Sequence, residues 1–520
     1  MKADRRWLLK GMAAAGGAAI VPHIMRSARA AAPFPPWSSY PFPLGVASGF
    51  PTDHSVVLWT RLAPVPAQPD GGMPPLDHEV RYEVATDERF RRVVARGRAI
   101  AAAQFAHSVH VQVQGLAADR EYWYRFTAGD TRSPVARTRT MPAAQARVSA
   151  LHLAVASCQH YEHGHFAAYR HIANDAPDVV VHVGDYIYEG APTANRVRQH
   201  SGRLCRSLDD YRQRYAQYKL DPALQAAHAV APWLLMWDDH EVANDYSGSD
   251  SGRAEDTATF LLRRAAAYQA YFEHQPLPPT AAPRAGEMQL HARRRIGRLA
   301  TIHLLDQRQY RSPQACPQPG RSGGNRLGDE CAARLDPQRT MLGAAQEQWL
   351  AQGLKDEPSR WTLLAQGTVF SHVDEQTGPG SSYWSDGWTG YPAARQRVID
   401  SLLQARSENP VILSGDLHAF VVGNVNAVPE RLDTPLVATE FVGTSISSDS
   451  RAQDSLDVWR DNANILMVDG RRRGYLSVKL SDRRMQVDLV TVEDVNQAES
   501  GREVLRSFVV EAGSPSALPA

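Results

Sequence analysis

Period-two alternation marks the chain from Tyr40 to about Met141. Val80, Tyr82 and Val84 alternate with Arg81 and Glu83, and Val109, Val111 and Val113 repeat the pattern. Ser55–Arg61 and the aromatic run Tyr122–Phe126 add further candidates, and turn residues separate them all. Short alternating segments of this kind predict half-buried strands of a β-sandwich, with a tyrosine near Tyr122 placed to pin a strand corner. From about Ala150 the rhythm changes. Short apolar runs at Leu151–Ala156, Val179–Val183, Trp233–Met236, Leu299–Leu305, Trp361–Ala365 and Val411–Leu413 predict buried strands. Helical patterns at His165–Asp175, Thr257–Phe272, Gly343–Leu354 and Arg395–Arg406 lie between or beside them. Alternation of strands and helices predicts a layered α/β body with its reactive loops at strand ends. Tyr475–Lys479 and Met485–Val490 predict a closing hairpin, and the Pro-, Gly- and Arg-rich stretch Arg311–Asp336 predicts a long surface loop.

At 520 residues the chain is long enough for two or three domains. Lys+Arg 57 against Asp+Glu 56 gives a net charge of +1, which offers no electrostatic case for a nucleic-acid or membrane partner. Eleven Trp, eighteen Tyr and a 43% hydrophobic fraction exclude a disordered chain. Four Cys exclude a disulfide scaffold. Residues 1–30 read as an address: Arg5-Arg6 precede a weakly apolar Gly/Ala stretch, and Ala28-Arg29-Ala30 fits a cleavage site. The pattern resembles a twin-arginine signal, so the expected location is the periplasm or outside the cell. In such an oxidising compartment Cys316 and Cys331 are candidates to pair, with Cys205 a further candidate and free thiols the alternative.

The chemistry gathers where strands end. Ser157-Cys158-Gln159 follows the first of these apolar runs, Gly184-Asp185-Tyr186-Ile187-Tyr188-Glu189 the second, and Trp237-Asp238-Asp239-His240-Glu241 with Asn244 the third. Ser414-Gly415-Asp416-Leu417-His418 follows Val411–Leu413. Each alone is weak, since Asp beside Gly or His is common in loops. Together they are expected to converge on one edge of a sheet, where crowded carboxylates call for a polyvalent cation. Asp185, Asp239 and Asp416 are hard oxygen donors, whereas Cys158, His418 and the phenol of Tyr188 are softer. Gly320–Gly324 fits the G-x-S-x-G pattern of serine hydrolases, but it sits in a loop instead of between a strand and a helix. His160, His163 and His165 read as supporting or solvated residues, and His182 as a core histidine. Trp384 and Trp388 are candidates for the cleft mouth.

These stretches, with Leu305-Asp306-Gln307-Arg308 and Phe441-Val442-Gly443-Thr444, resemble the PhoD-like (alkaline phosphatase D) family within the calcineurin-like and purple-acid-phosphatase-like metallophosphoesterases. The resemblance implies an α/β fold: a layered metallophosphoesterase β-sandwich flanked by helices, with an N-terminal all-β immunoglobulin/fibronectin-like domain. On this reading 36–142 is the β-sandwich domain, 150–492 the phosphatase domain and 493–520 a C-terminal extension. The resemblance further implies hydrolysis of phosphomonoesters, and of phosphodiesters too, by a metal-held hydroxide attacking phosphorus, with an alkaline optimum. Fe(III) would be held by Cys158, Asp185 and Tyr188 with His418, and one or two Ca(II) by Asp239, Asn244 and Asp416. The family's substrates are phosphate esters. His240 would contact phosphate and protonate the leaving group, and Arg308 would bind phosphate or, as readily, serve a structural role with Asp306. Gln366 or His372 lies in the region where the wider superfamily has a further histidine ligand. A monomer exported by the twin-arginine machinery is expected. A phospholipase D-like phosphodiesterase is the neighbouring alternative, and a non-catalytic binding module on the same scaffold the more distant one.

Overall fold

The computed structural model describes residues 37–253, 255–320 and 322–520, so the leader at 1–30 lies outside the described residues. The apolar runs become strands almost to the residue. Leu151–Ala156, Val179–Val183 and Trp233–Met236 lie side by side and parallel, as expected for segments buried on both faces. They form the middle of a ten-stranded sheet. Ala300–Leu304, Trp361–Ala365, Pro410–Ser414 and Leu436–Val442 make the parallel part of a second, seven-stranded sheet.

Side-chain alternation packs the two sheets together. Leu363, Val411 and Leu413 join a core that also holds Val155, Val181, Leu234 and Leu476 of the first sheet. Their neighbours Leu364 and Ile412 turn the other way, onto the helices Ala344–Asp356 and Pro392–Ala405. The outer face of the first sheet is covered by Ala167–Asp175, Leu208–Lys219, Pro222–Val230 and Thr257–His274. The result is a β-sandwich flanked by helices. Each fully buried Leu or Val in this core contributes about 1.5–3 kcal/mol.

The N-terminal strands form a sandwich of their own, whose core holds Val56, Val80, Val109, Tyr124 and Phe126. Tyr122 does pin a corner there: its hydroxyl accepts from Ala117 N at 2.8 Å and donates to Ala117 O at 3.3 Å. One face of this sandwich is not separate from the α/β body. Val46–Gly49 sits beside Trp233–Met236, so Val46–Gly49, Ser55–Arg61 and Ser108–Gln114 extend the ten-stranded sheet. At the opposite end the expected closing hairpin, Gly474–Leu480 with Arg484–Val492, does not close it. Arg502–Glu511 and Ala517–Pro519 add two more antiparallel strands.

The stretch 311–336 also departs from a simple surface loop. Cys316 and Cys331 form a disulfide with a Cα–Cα distance of 6.1 Å, and Arg311, Gln314 and Asn325 are buried. Cys158 and Cys205 are free and buried.

Candidate metal centre

Parallel strands present their C-terminal ends at one edge, and here two stacked sheets present theirs together. Cys158, Asp185 and Asp239 follow three neighbouring strands of the first sheet, while Asp416 and His418 follow Pro410–Ser414 of the second. Convergence therefore occurs between two sheets, not along one edge of one sheet. The turns that carry the side chains are tight. Cys158, Asp185, Asp416 and His418 all adopt left-handed backbone, with φ between 59° and 64°. Two preceding glycines are required by close approach. A Cβ on Gly184 (φ +115°) would lie 2.4 Å from Asp238 Cβ, and one on Gly415 would lie 2.6 Å from Ser157 Oγ.

Buried carboxylates brace the loops from behind. Glu241 accepts from the backbone N–H of Asp185 at 3.1 Å, Tyr186 at 2.6 Å and Asp238 at 2.9 Å, tying two ligand loops to one side chain. Burial and the nearby Asp185 charge nevertheless push its carboxyl up to about 8. Glu440 does the same on the second sheet, accepting from Phe370 N, Ser371 N and Ser414 Oγ.

Potential ligand atoms gather in overlapping groups, each within 4.8 Å: Cys158 with Asp185 and His418; Asp185 with Asp239 and His240; Asp238 with Asp239 and Asp416; Asp239 with Asp245 and Asp386. Tyr188 completes the first group, its hydroxyl 2.8 Å from Asp185 Oδ2 and 3.0 Å from His418 Nε2. His418 Nδ1 donates to Asp449 O at 2.6 Å, which fixes the tautomer and turns the Nε2 lone pair inward. The rings of His160 and His163 stack at 3.7 Å, and His160 lies 4.2 Å from Tyr188, so these histidines buttress the phenol. His182 is in the core, fully buried.

The donor chemistry fits cations. Burial and the neighbouring Asp239 raise the Asp416 carboxyl to about 6, and burial with Asp386 and Asp239 raises Asp245 to about 7. Carboxylates packed so closely repel one another's charge, and a bound cation reverses that penalty. His240 is set apart by its partner. Its Nδ1 donates to buried Glu189 at 2.8 Å. Burial alone would lower its pKa, but Glu189, Asp239 and Asp185 outweigh burial and hold it well above the usual histidine range. Burial opposes the Glu189 charge in turn, yet His240 and the Asn244 N–H bring that carboxyl down to about 2. Asn244 joins the cavity wall, with its backbone N–H on Glu189.

Arg308 is placed differently from a phosphate ligand. It is fully buried and enclosed by carboxylates: Nε lies 2.5 Å from Asp238 Oδ1, Nη2 3.2 Å from Asp238 Oδ2, and Nη1 2.9 Å from Asp386. Its backbone N–H donates to Asp306 Oδ1 at 3.0 Å. The guanidinium thus underlies the acidic cluster and is not part of the cavity lining. Gln366 and His372 do not join the cluster either. Gln366 is spent on Gln307, Ser414 Oγ, Thr368 O and Trp388 Nε1, and His372 Nδ1 faces Arg395. Trp388, bonded to Gln366, is interior, whereas Trp384 lines the cavity.

Asp245, Asp386 and the bracing role of Glu241 escaped the sequence reading. Asp245 follows Asn244 directly and carried the same signal as its neighbours. Asp386 follows no apolar run of its own, and only tertiary packing brings it in.

The cavity above the cluster has a volume of about 580 Å³. Comparison with known proteins is unambiguous. The family described as PhoD-like phosphatase matches residues 153–489, and its N-terminal domain matches residues 27–142. The chain is 41% identical to Alkaline phosphatase D of Bacillus subtilis (strain 168), across 98% of this chain and 88% of that protein. A solved structure described as "Structure of PhoD" superposes with a TM-score of 0.89 at 41% identity, covering 94% of this chain and 93% of that one.

Proposed function

The chain belongs to the PhoD-like phosphatases and is a phosphoric ester hydrolase of the alkaline phosphatase D type, and from that premise we propose an exported, metal-dependent enzyme that cleaves phosphomonoesters and phosphodiesters. The observation that carries this reading is the set of overlapping, largely buried ligand groups at one cavity, which Asp185, Asp239, Asp245, Asp386, Asp416 and His418 line. Cys158, Asp185, Tyr188 and His418 would hold Fe(III). Asp239, Asn244 and Asp416 would hold one or two Ca(II), with Asp245 and Asp386 enlarging that oxygen-rich side. What such cations supply when bound is Lewis-acid polarisation of the phosphoryl oxygens and a lowered pKa for the attacking water.

The side chains of this chain do the rest. Glu189 orients His240 through Nδ1, so Nε2 would be the atom that delivers a proton to the departing oxygen. The carbonyl of Asp449 orients His418, and Ser448 Oγ donates to the Tyr188 hydroxyl at 2.8 Å, holding the phenol against Asp185. Arg308 holds Asp238 and Asp386 in place and leaves phosphate to the cavity floor. Export is supported by Arg5-Arg6 and Ala28–Ala30, a leader that would send the enzyme to the periplasm or outside the cell.

The test is elemental analysis of the folded protein exported by its own leader. It is paired with turnover of p-nitrophenyl phosphate and bis-p-nitrophenyl phosphate before and after chelation. Bound iron and calcium with chelator-sensitive hydrolysis of both esters are expected. A metal-free protein that cleaves neither ester overturns the reading.

A further inference from the structure

A cavity of about 580 Å³ has room for more than a phosphoryl group, since pockets of roughly 300–1,000 Å³ hold whole small molecules. Its floor is the acidic cluster. Its outer wall has another composition: Val369, Val373, Leu417, Trp384 and Trp459 supply an apolar surface. Within that wall the Trp459 indole N–H is buried and has no hydrogen-bond partner.

Two arginines stand at the rim. Arg326 Nη2 lies 2.7 Å from Glu375 Oε2, and Arg451 Nη1 lies 3.0 Å from Glu375 Oε1. The Glu375 side chain is 3% exposed, that of Arg326 53% and that of Arg451 33%. One carboxylate cannot neutralise two guanidinium groups, so the trio keeps a net positive charge. Each guanidinium also has donors to spare. The remaining acid on this wall, Asp449, is turned onto Arg196 at 2.8 Å. Arg326 is delivered to the rim by the disulfide-closed loop, where it pairs across a short ladder with Trp384.

We propose that the outer half of the cavity is a leaving-group subsite for esters whose flat or apolar body rests on Trp384 and Trp459 and whose far end carries a second anion held by Arg326 and Arg451. The inference rests on the phosphatase reading above and narrows its substrate class. The phosphoryl group occupies the floor, and the alcohol that departs spans the wall to the rim.

The experiment compares kcat/KM for 4-carboxyphenyl phosphate and phenyl phosphate in the metal-loaded wild type and in R451A and R326A. Taking the ratio of the two substrates within each protein cancels any change in metal content or folding. The ratio is expected to fall about tenfold in each variant, the effect of one lost hydrogen bond to a charged group. R326A, at the more exposed position, guards against a folding defect in R451A. A wild type that cleaves both esters, with a ratio unmoved in both variants, overturns the subsite alone. A wild type that cleaves neither overturns the phosphatase reading and the subsite with it.

Discussion

Replacing Arg308 by methionine separates two incompatible roles for a buried guanidinium. The side chain is fully buried and is contacted by three carboxylates, Asp238 at 2.5 Å, Asp386 at 2.9 Å and Asp239 at 3.7 Å. Burial opposes its charge, yet these acids more than offset burial and hold it firmly protonated. Methionine keeps the volume and removes the charge, leaving Asp238 and Asp386 buried with less compensation. Arg311 still reaches Asp386 at 3.1 Å, so the greater penalty falls on Asp238. Breaking a buried pair in this way costs about 3–5 kcal/mol. In urea the loss appears as a lower midpoint for the catalytic body. R308M combined with D238N should recover a substantial part of it, because the two changes remove one interaction. Phosphate affinity is read separately, from the inhibition constant of inorganic phosphate in the metal-loaded protein. An R308M protein as stable as wild type, with phosphate inhibition weakened tenfold or more, would refute the structural assignment and return Arg308 to substrate binding.

Three further outcomes follow from the geometry. E241A removes the acceptor shared by Asp185 N, Tyr186 N and Asp238 N, and metal retention after dialysis, measured by elemental analysis, should fall about 10–100-fold. Serine at both Cys316 and Cys331 opens a loop of 15-residue separation and should cost about 3 kcal/mol in denaturation, with no effect of added reductant on the variant. Lys219 is fully buried beside Trp59, Tyr186 and His228, and burial lowers its pKa well below the lysine value of 10.5. The folded state then binds fewer protons than the unfolded one, so stability is lost as pH falls from 10.5 toward the depressed folded pKa. K219M should remove that slope and stabilise the protein at pH 7 by roughly 1–4 kcal/mol; unchanged stability and an unchanged pH slope would mean the amine is charged and solvated in the fold.

What could be read from the chain follows from how local each signal is. Val179–Val183 and Pro410–Ser414 are buried along their whole length, so a bare apolar run sufficed to find them and to point at the residues just beyond. Leu208–Lys219 was invisible to the same reading. The residues it buries include Tyr211, Arg214, Tyr215 and Lys219, which carry no simple hydropathy period, although the Ser207–Asp210 capping box stood in the sequence. The stacking of two sheets came from the family resemblance and not from the hydropathy pattern, because it depends on residues hundreds of positions apart. Nor does a strand-end rule decide between neighbours. Asp238 and Asp239 are adjacent and chemically identical, but successive side chains leaving a strand diverge. Asp238 accordingly pairs closely with Arg308 and joins only the group with Asp239 and Asp416, while Asp239 is shared by the groups containing Asp185, Asp416 and Asp245. The same ambiguity attends Arg308, since a guanidinium binds phosphate and carboxylate with equal geometric ease. Sequence supplies the inventory of charged groups at the edge of the body. Which of them face the cavity and which neutralise their neighbours from beneath is settled by the direction of each side chain, and that is a property of the packed sheets.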